Sequence, residues 1–238
     1  MGNSEGSGRL HAMTESSSLP FCEKTAVNQP KLKIDPSHPK GPRGQKRPFT
    51  FEQMVALNRI LKERVNSEVN GLRDLLIFSI EIDSMLRAEN GLALKVHQVV
   101  DSRGEVRERF EVRQCKTHGT VTCALTKVTQ QRLRVWLNAN DFSSDEFLFP
   151  GKKEGTHLSR RRLHDLVKTW SSMLGLASEY YSTHSLRRCK PVLAWNKNHD
   201  AEEVRNMLGH NSLSSVHHYI GDYKERALQV ALGIDPWQ

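Results

Sequence analysis

Thr183-His184-Ser185-Leu186-Arg187-Arg188 is followed by Leu208-Gly209-His210-Asn211-Ser212, and then by Val216-His217-His218-Tyr219-Ile220-Gly221. His184 and Arg187 stand three residues apart, and Tyr219 stands nine residues beyond His210. Each piece is short and could arise by chance, but in this order and spacing they form one specific signal. The segments around them read as helices over Ser185–Lys197, Asp200–Leu208, Ser212–Ile220 and Tyr223–Leu232, with a cap at Asp200 and stops at Gly209 and Gly233.

Outward from this region, Ser159–Leu174, capped by Ser159 and stopped by Gly175, and Thr126–Asn138 also read as helices. Between Val96 and Leu125 apolar residues alternate with polar ones, as in Val106, Phe110 and Val112 and then Val121 and Cys123. That pattern predicts a small three-stranded antiparallel sheet, with Lys116-Thr117-His118-Gly119 at its second hairpin turn. The stretch from Arg73 to about Met85 is apolar around most of its circumference, as a buried central helix would be. Phe51, Met54, Leu57, Leu61 and Val65 recur at helical spacing behind a Thr50/Gln53 capping box, so the folded domain is expected to begin at Thr50. The expected fold class is α+β, a mainly helical domain over residues 50–238 with one small sheet.

Residues 1–49 are rich in Ser, Pro, Gly and Lys, and within residues 1–50 eight Lys or Arg stand against four Asp or Glu. The expectation is a disordered basic tail. The chain of 238 residues carries a net charge of +8, which points to a polyanionic partner, nucleic acid first. Its apolar stretches are far shorter than the roughly 20 residues of a bilayer-spanning helix, and Met1-Gly2 is followed by Gly6 where myristoylation needs Ser or Thr. No membrane association and a cytoplasmic location are expected. The four cysteines form no Cys-x-x-Cys pair and read as free thiols. His184, His199, His210, His217 and His218 match no zinc-ligand spacing, and neither a phosphate-binding Gly-x-x-x-x-Gly-Lys loop nor His-Glu-x-x-His is present. No metal and no other cofactor is expected.

The His-x-x-Arg, Leu-Gly-His and Tyr segments together resemble the catalytic domain of the tyrosine recombinases, the phage integrase family. Leu86-Arg87, after the buried helix, and Gln114-Cys115-Lys116-Thr117, on the hairpin, stand where that family has its first arginine and its lysine. The resemblance runs from about Thr50 to Ile234 and is closest to short integrases made of little more than a catalytic domain. It implies a site-specific recombinase that cleaves and rejoins duplex DNA through a covalent 3′-phosphotyrosyl intermediate, as a homodimer or homotetramer on DNA, in a prokaryotic cell and associated with the nucleoid when bound. It also implies that Tyr223–Gln238 holds a helix exchanged between protomers.

The chemistry of phosphodiester transfer accounts for these residue types. Arg87 and Arg187 would clamp the non-bridging oxygens with charge-assisted hydrogen bonds. Tyr219 would attack once a proton acceptor, His184, lowers the cost of ionising a phenol of pKa about 10. Lys116 would protonate the departing 5′ oxygen, and His210 would donate a hydrogen bond to the phosphate. Arg160, Arg161, Arg162 and Arg188 would bind the DNA backbone, giving affinity without sequence choice.

Two departures from the family pattern stand out. Three residues after the first arginine the family has Asp or Glu, and this chain has Asn90, with Glu89 one position early. The helical core-binding domain of larger recombinases has no counterpart that residues 1–49 could supply. Two alternatives follow: a weak or inactive DNA-binding protein on the recombinase fold, or an enzyme like the type IB topoisomerases, which relax DNA with the same residue set.

Overall fold

The structure, a computed structural model, describes residues 46–116 and 118–216. Residues 1–45, Thr117 and residues 217–238 lie outside that range, and with them most of the expected tail, Tyr219 and the expected exchange helix.

Helix α1, Phe51–Glu63, starts where the capping box predicts: Gln53 N donates to Thr50 Oγ1 (3.2 Å) and Thr50 N donates to Gln53 Oε1 (3.0 Å). Its Met54, Leu57 and Leu61 stripe is buried against α2, Gly71–Ser84. In α2, Leu75, Leu76, Ile77, Phe78 and Ile80 are all buried, because other elements surround it. α1, α5 (Lys127–Asn138) and α7 (Thr183–Asn198) pack on it, together with the short α3 (Ala88–Leu92) and strand β2 (Thr120–Ala124). Two more helices, α6 (Arg160–Met173) and α8 (Ala201–Leu208), flank α7, and α4 (Val96–Val99) is one turn long. Trp170 of α6 meets Phe78 of α2 edge to face, with centroids 5.7 Å apart, at the centre of the core.

The sheet has two strands, not three. Strand β1, Arg109–Arg113, pairs antiparallel with β2, setting Phe110 opposite Cys123 and Val112 opposite Val121 with these four side chains buried. The stretch read as a third strand instead forms α4 and a single bridge, Val100 to Val106. Asp101 is the cause. Its Oδ1 accepts from the backbone N–H groups of Arg103 and Glu105, both at 2.9 Å, curling the chain into a tight loop that leaves no run for pairing.

The packed domain also begins earlier than the helix cap. Phe49 is 2% exposed and stacks on Tyr181 with centroids 4.7 Å apart. Arg47 N donates to the Tyr180 carbonyl (2.9 Å), and Lys46 Nζ to the Glu179 carbonyl (2.7 Å). Of the segment Ser212–Ile220, the described part forms a 3-10 turn, Leu213–Ser215.

Candidate active site

Arg87 follows the C-terminal end of α2, where Met85 turns the chain with φ +53° and ends the helix. One guanidinium nitrogen of Arg87 donates to Oε1 of the buried Gln114, at the base of the β1–β2 hairpin. The same hairpin is pinned from α3: the backbone N–H of Cys115 donates to Asn90 Oδ1 (3.3 Å). Lys116 is the next residue, exposed in the turn. Asn90 thus holds the backbone beside Lys116, a task its amide oxygen performs as a carboxylate would.

Arg87 and Lys116 meet His184 at a cleft of about 420 Å³, whose wall also holds Arg160 and His164 of α6 and Glu89 of α3. His184 occupies the first turn of α7, whose N-cap, Ser182, accepts from the His184 N–H (3.3 Å). Partial loss of hydration, then the positive charges of Arg187, Arg87, Arg160 and Arg188, hold His184 below its ordinary pKa. Its imidazole is therefore neutral at neutral pH and able to accept a proton.

Arg187, one turn further along α7, is buried at 2% exposure. It donates to the Met85 carbonyl and, through Nη2, to the Leu208 carbonyl (3.2 Å), so it ties α7 to the ends of α2 and α8. The same Nη2 lies 3.3 Å from His210 Nε2. A guanidinium only donates, so this ring nitrogen accepts. Burial, then Arg187 and Arg87, push the His210 pKa down to about 4, so the ring is neutral. Gly209 makes this placement possible. It closes α8 in the left-handed region (φ +61°), and a Cβ there would stand 2.8 Å from Val121 Cγ2.

Arg87, Lys116, His184 and Arg160 are thus brought to one cleft, while Arg187 and His210 are joined to each other and are not among its lining residues. Other sequence-predicted residues lie elsewhere. Arg162 lines a separate recess with Arg64 and Asp74. Arg161 is exposed on α6 and does not line the cleft. Arg188 donates to the Lys46 carbonyl (3.0 Å), holding the segment before α1. Arg160 itself is paired with Glu89 at 2.8 Å. Among the described residues no three His, Cys, Asp or Glu gather as a metal site would need. Sequence reading gave no role to Gln114 or His164. A glutamine before a turn carries no pattern, while His164 could have been found four residues beyond Arg160 on one helix face.

The phage integrase family matches residues 47–226 of this chain. The probable integrase/recombinase YoeC of Bacillus subtilis (strain 168) is 24% identical over 149 residues, covering 63% of this chain and 77% of YoeC. Among solved structures, XerH site-specific recombinase bound to a palindromic difH substrate, in a post-cleavage complex, superposes with a TM-score of 0.63 at 23% identity. That match covers 79% of this chain and 53% of XerH, so the chain spans about half of XerH's length. XerA recombinase superposes with a TM-score of 0.61 at 16% identity, over 83% of this chain and 68% of XerA. At these identities the likeness to the solved structures is one of fold. The mainly helical fold, the ordered His-x-x-Arg and Leu-Gly-His segments and a family match over most of the described residues lead to one placement: the chain belongs to the phage integrase family, the tyrosine recombinases.

Proposed function

We propose that this protein is a site-specific recombinase that cuts and rejoins duplex DNA through a covalent 3′-phosphotyrosyl intermediate, with Tyr219 as nucleophile. The observation that carries the reading is the meeting of Arg87, Lys116 and His184 at one cleft, within reach of the charge of Arg187. In the proposed reaction His184 accepts the Tyr219 proton as the phenolic oxygen attacks phosphorus. The bond to the 5′ oxygen breaks, Lys116 protonates that oxygen, and phosphorus stays on the 3′ side, bonded to Tyr219. Rejoining reverses these steps with a new 5′ hydroxyl. Because burial and then the arginines depress the basicity of His184, an arriving phosphate that offsets the arginines' charge strengthens the base as substrate binds. Arg187 and His210 act as a joined pair. Exposed basic residues, Arg161 among them, supply salt-dependent affinity for the DNA backbone. Assembly as a dimer or tetramer on paired sites belongs to the same proposal.

The test is to produce wild type and Tyr219→Phe in the native cell, wash under denaturing conditions and sequence the DNA that stays attached. Wild type should retain DNA at discrete sites and the variant none. An adduct that survives the substitution would remove Tyr219 from its role, and no adduct from wild type would favour a DNA-binding protein without cleavage.

A further inference from the structure

Glu89 and Asn90 are neighbours on α3 but serve different sides of it. Asn90 is 4% exposed and holds the hairpin through the Cys115 N–H. Consecutive helical side chains diverge by about 100°, so Glu89 turns away from that contact. Its side chain, 54% exposed, lines the open cleft instead. There Glu89 Oε1 accepts from Arg160 Nη1 at 2.8 Å, an ion pair that joins α3 to α6.

The surroundings give this pair its meaning. Among the described residues that line the cleft, Arg87, Lys116 and Arg160 carry positive charge and Glu89 is the one acid. A concave wall with that balance draws anions toward it. A carboxylate and a phosphate offer a guanidinium the same pair of oxygens, so Arg160 already holds, inside the free protein, a group shaped like the part of a phosphate it would bind. Both partners are more than half exposed, and an ion pair so exposed is weak enough to exchange. His164 lies one turn beyond Arg160 on α6 and on the same cleft wall, where its ring can donate to the same anion.

We propose that Glu89 is a built-in competitor for a DNA phosphate at Arg160: its carboxylate fills the seat in the free protein, and a backbone phosphate entering the cleft takes Arg160 from it, with His164 as a further donor. The inference rests on the recombinase reading for the identity of the phosphate. Displacement costs the existing pair and leaves a carboxylate beside a phosphate, a like-charge contact that Glu89 relieves by swinging into solvent. A phosphate that meets Arg160 alone therefore gains little over Glu89. A backbone that also engages Arg87 and Lys116 outcompetes it, so the pair biases the cleft against partial contacts.

Equilibrium binding of a linear duplex of arbitrary sequence by the full chain, at fixed low salt, is compared for wild type, Glu89→Gln, Arg160→Gln and the double variant. Glu89→Gln should bind about three- to fivefold tighter than wild type, and the gain should be lost when Arg160 is already Gln. An equal gain in both backgrounds reports general charge repulsion and overturns the proposal. Unchanged or weaker binding by Glu89→Gln overturns it as well, the latter because Glu89 would then hold Arg160 ready for DNA. Independently, the nitrogen-15 side-chain signal that vanishes in Arg160→Gln is followed in arginine-labelled wild type and Glu89→Gln. The two proteins should differ without DNA and converge with it, since a phosphate then holds Arg160 in both. A difference that persists at saturating DNA shows Glu89 still in place and overturns the proposal. Failure of wild type to form a covalent adduct removes only the recombination reading, because a gain that depends on Arg160 upholds the competition without any cleavage.

Discussion

A Cβ at position 209 would stand 2.8 Å from Val121 Cγ2 and 3.2 Å from Gln114 Nε2, on backbone with φ +61°. Left-handed backbone costs a non-glycine residue roughly 1–2 kcal/mol, and the contact with Gln114 adds a second penalty because Gln114 holds Arg87. Gly209→Ala should therefore lower stability by about 2 kcal/mol in urea denaturation and reduce adduct formation more than that loss explains. An unchanged adduct rate would detach Gly209 from the placement of Arg87. Met85 adopts φ +53° despite its side chain. The gain from a glycine there, on the order of 1 kcal/mol, is outweighed by burial of Met85 with Val204, Leu208 and Val216, since truncating a buried Met costs about 2–5 kcal/mol.

At the scale of elements, α2 organises the site from its C-terminal end. Asp83 accepts from Lys190 Nζ of α7 (2.7 Å) and from the backbone N–H (2.8 Å) and Oγ1 (2.7 Å) of Thr126, the cap of α5. Burial works to raise its pKa, but hydrogen bonds from Lys190, Thr129 and Thr126 and the charge of Lys190 outweigh it, so the net direction is down. Stability from this group is present above its unfolded pKa and is lost as pH falls through the lower folded one. Asp83→Asn should lower stability at neutral pH by about 2 kcal/mol, less than the 3–5 of a fully buried pair because the Lys190 side chain keeps 31% exposure. The deficit should shrink as pH falls below about 4, where the unfolded chain takes up the proton that folded Asp83 still resists. Equal deficits at both pH values would exclude an ionic origin. The helices were legible because their apolar residues recur at helical spacing and because α1, α6 and α8 carry caps at Thr50, Ser159 and Asp200. The third strand was misread because alternation reports which faces are buried, whereas the loop at Asp101 was decided by one side chain bonding to its own backbone.

For the molecule as a whole, pH acts through groups pushed in opposite directions. His210, folded pKa about 4, lies below its unfolded value, so its contribution is full above about 6.5 and is lost as pH falls toward 4. Glu81, folded pKa about 8, lies above its unfolded value, so its contribution is full below about 4.5 and is lost as pH rises through 8. The two slopes oppose each other between about 4.5 and 6.5, and Glu81 acts without His210 from there to about 8. Wild-type stability should fall by about 2 kcal/mol over that upper interval, while Glu81→Gln stays level, as measured by chemical denaturation at each pH. A wild-type curve flat over the interval would show that Glu81 is not held protonated by the fold.

The sequence by itself determined the family and the helical framework and singled out Arg87, Lys116, His184, Arg187 and His210 as candidates, because periodicity, caps and motif spacing are local properties of the chain. Tertiary structure alone decided that Gln114 holds Arg87, that Asn90 pins the lysine hairpin, that Arg188 reaches the segment before α1 and that Glu81 is buried without a hydrogen bond among the described residues. These relations join residues tens of positions apart, and burial and hydrogen bonding between distant segments follow from packing, which no local pattern encodes.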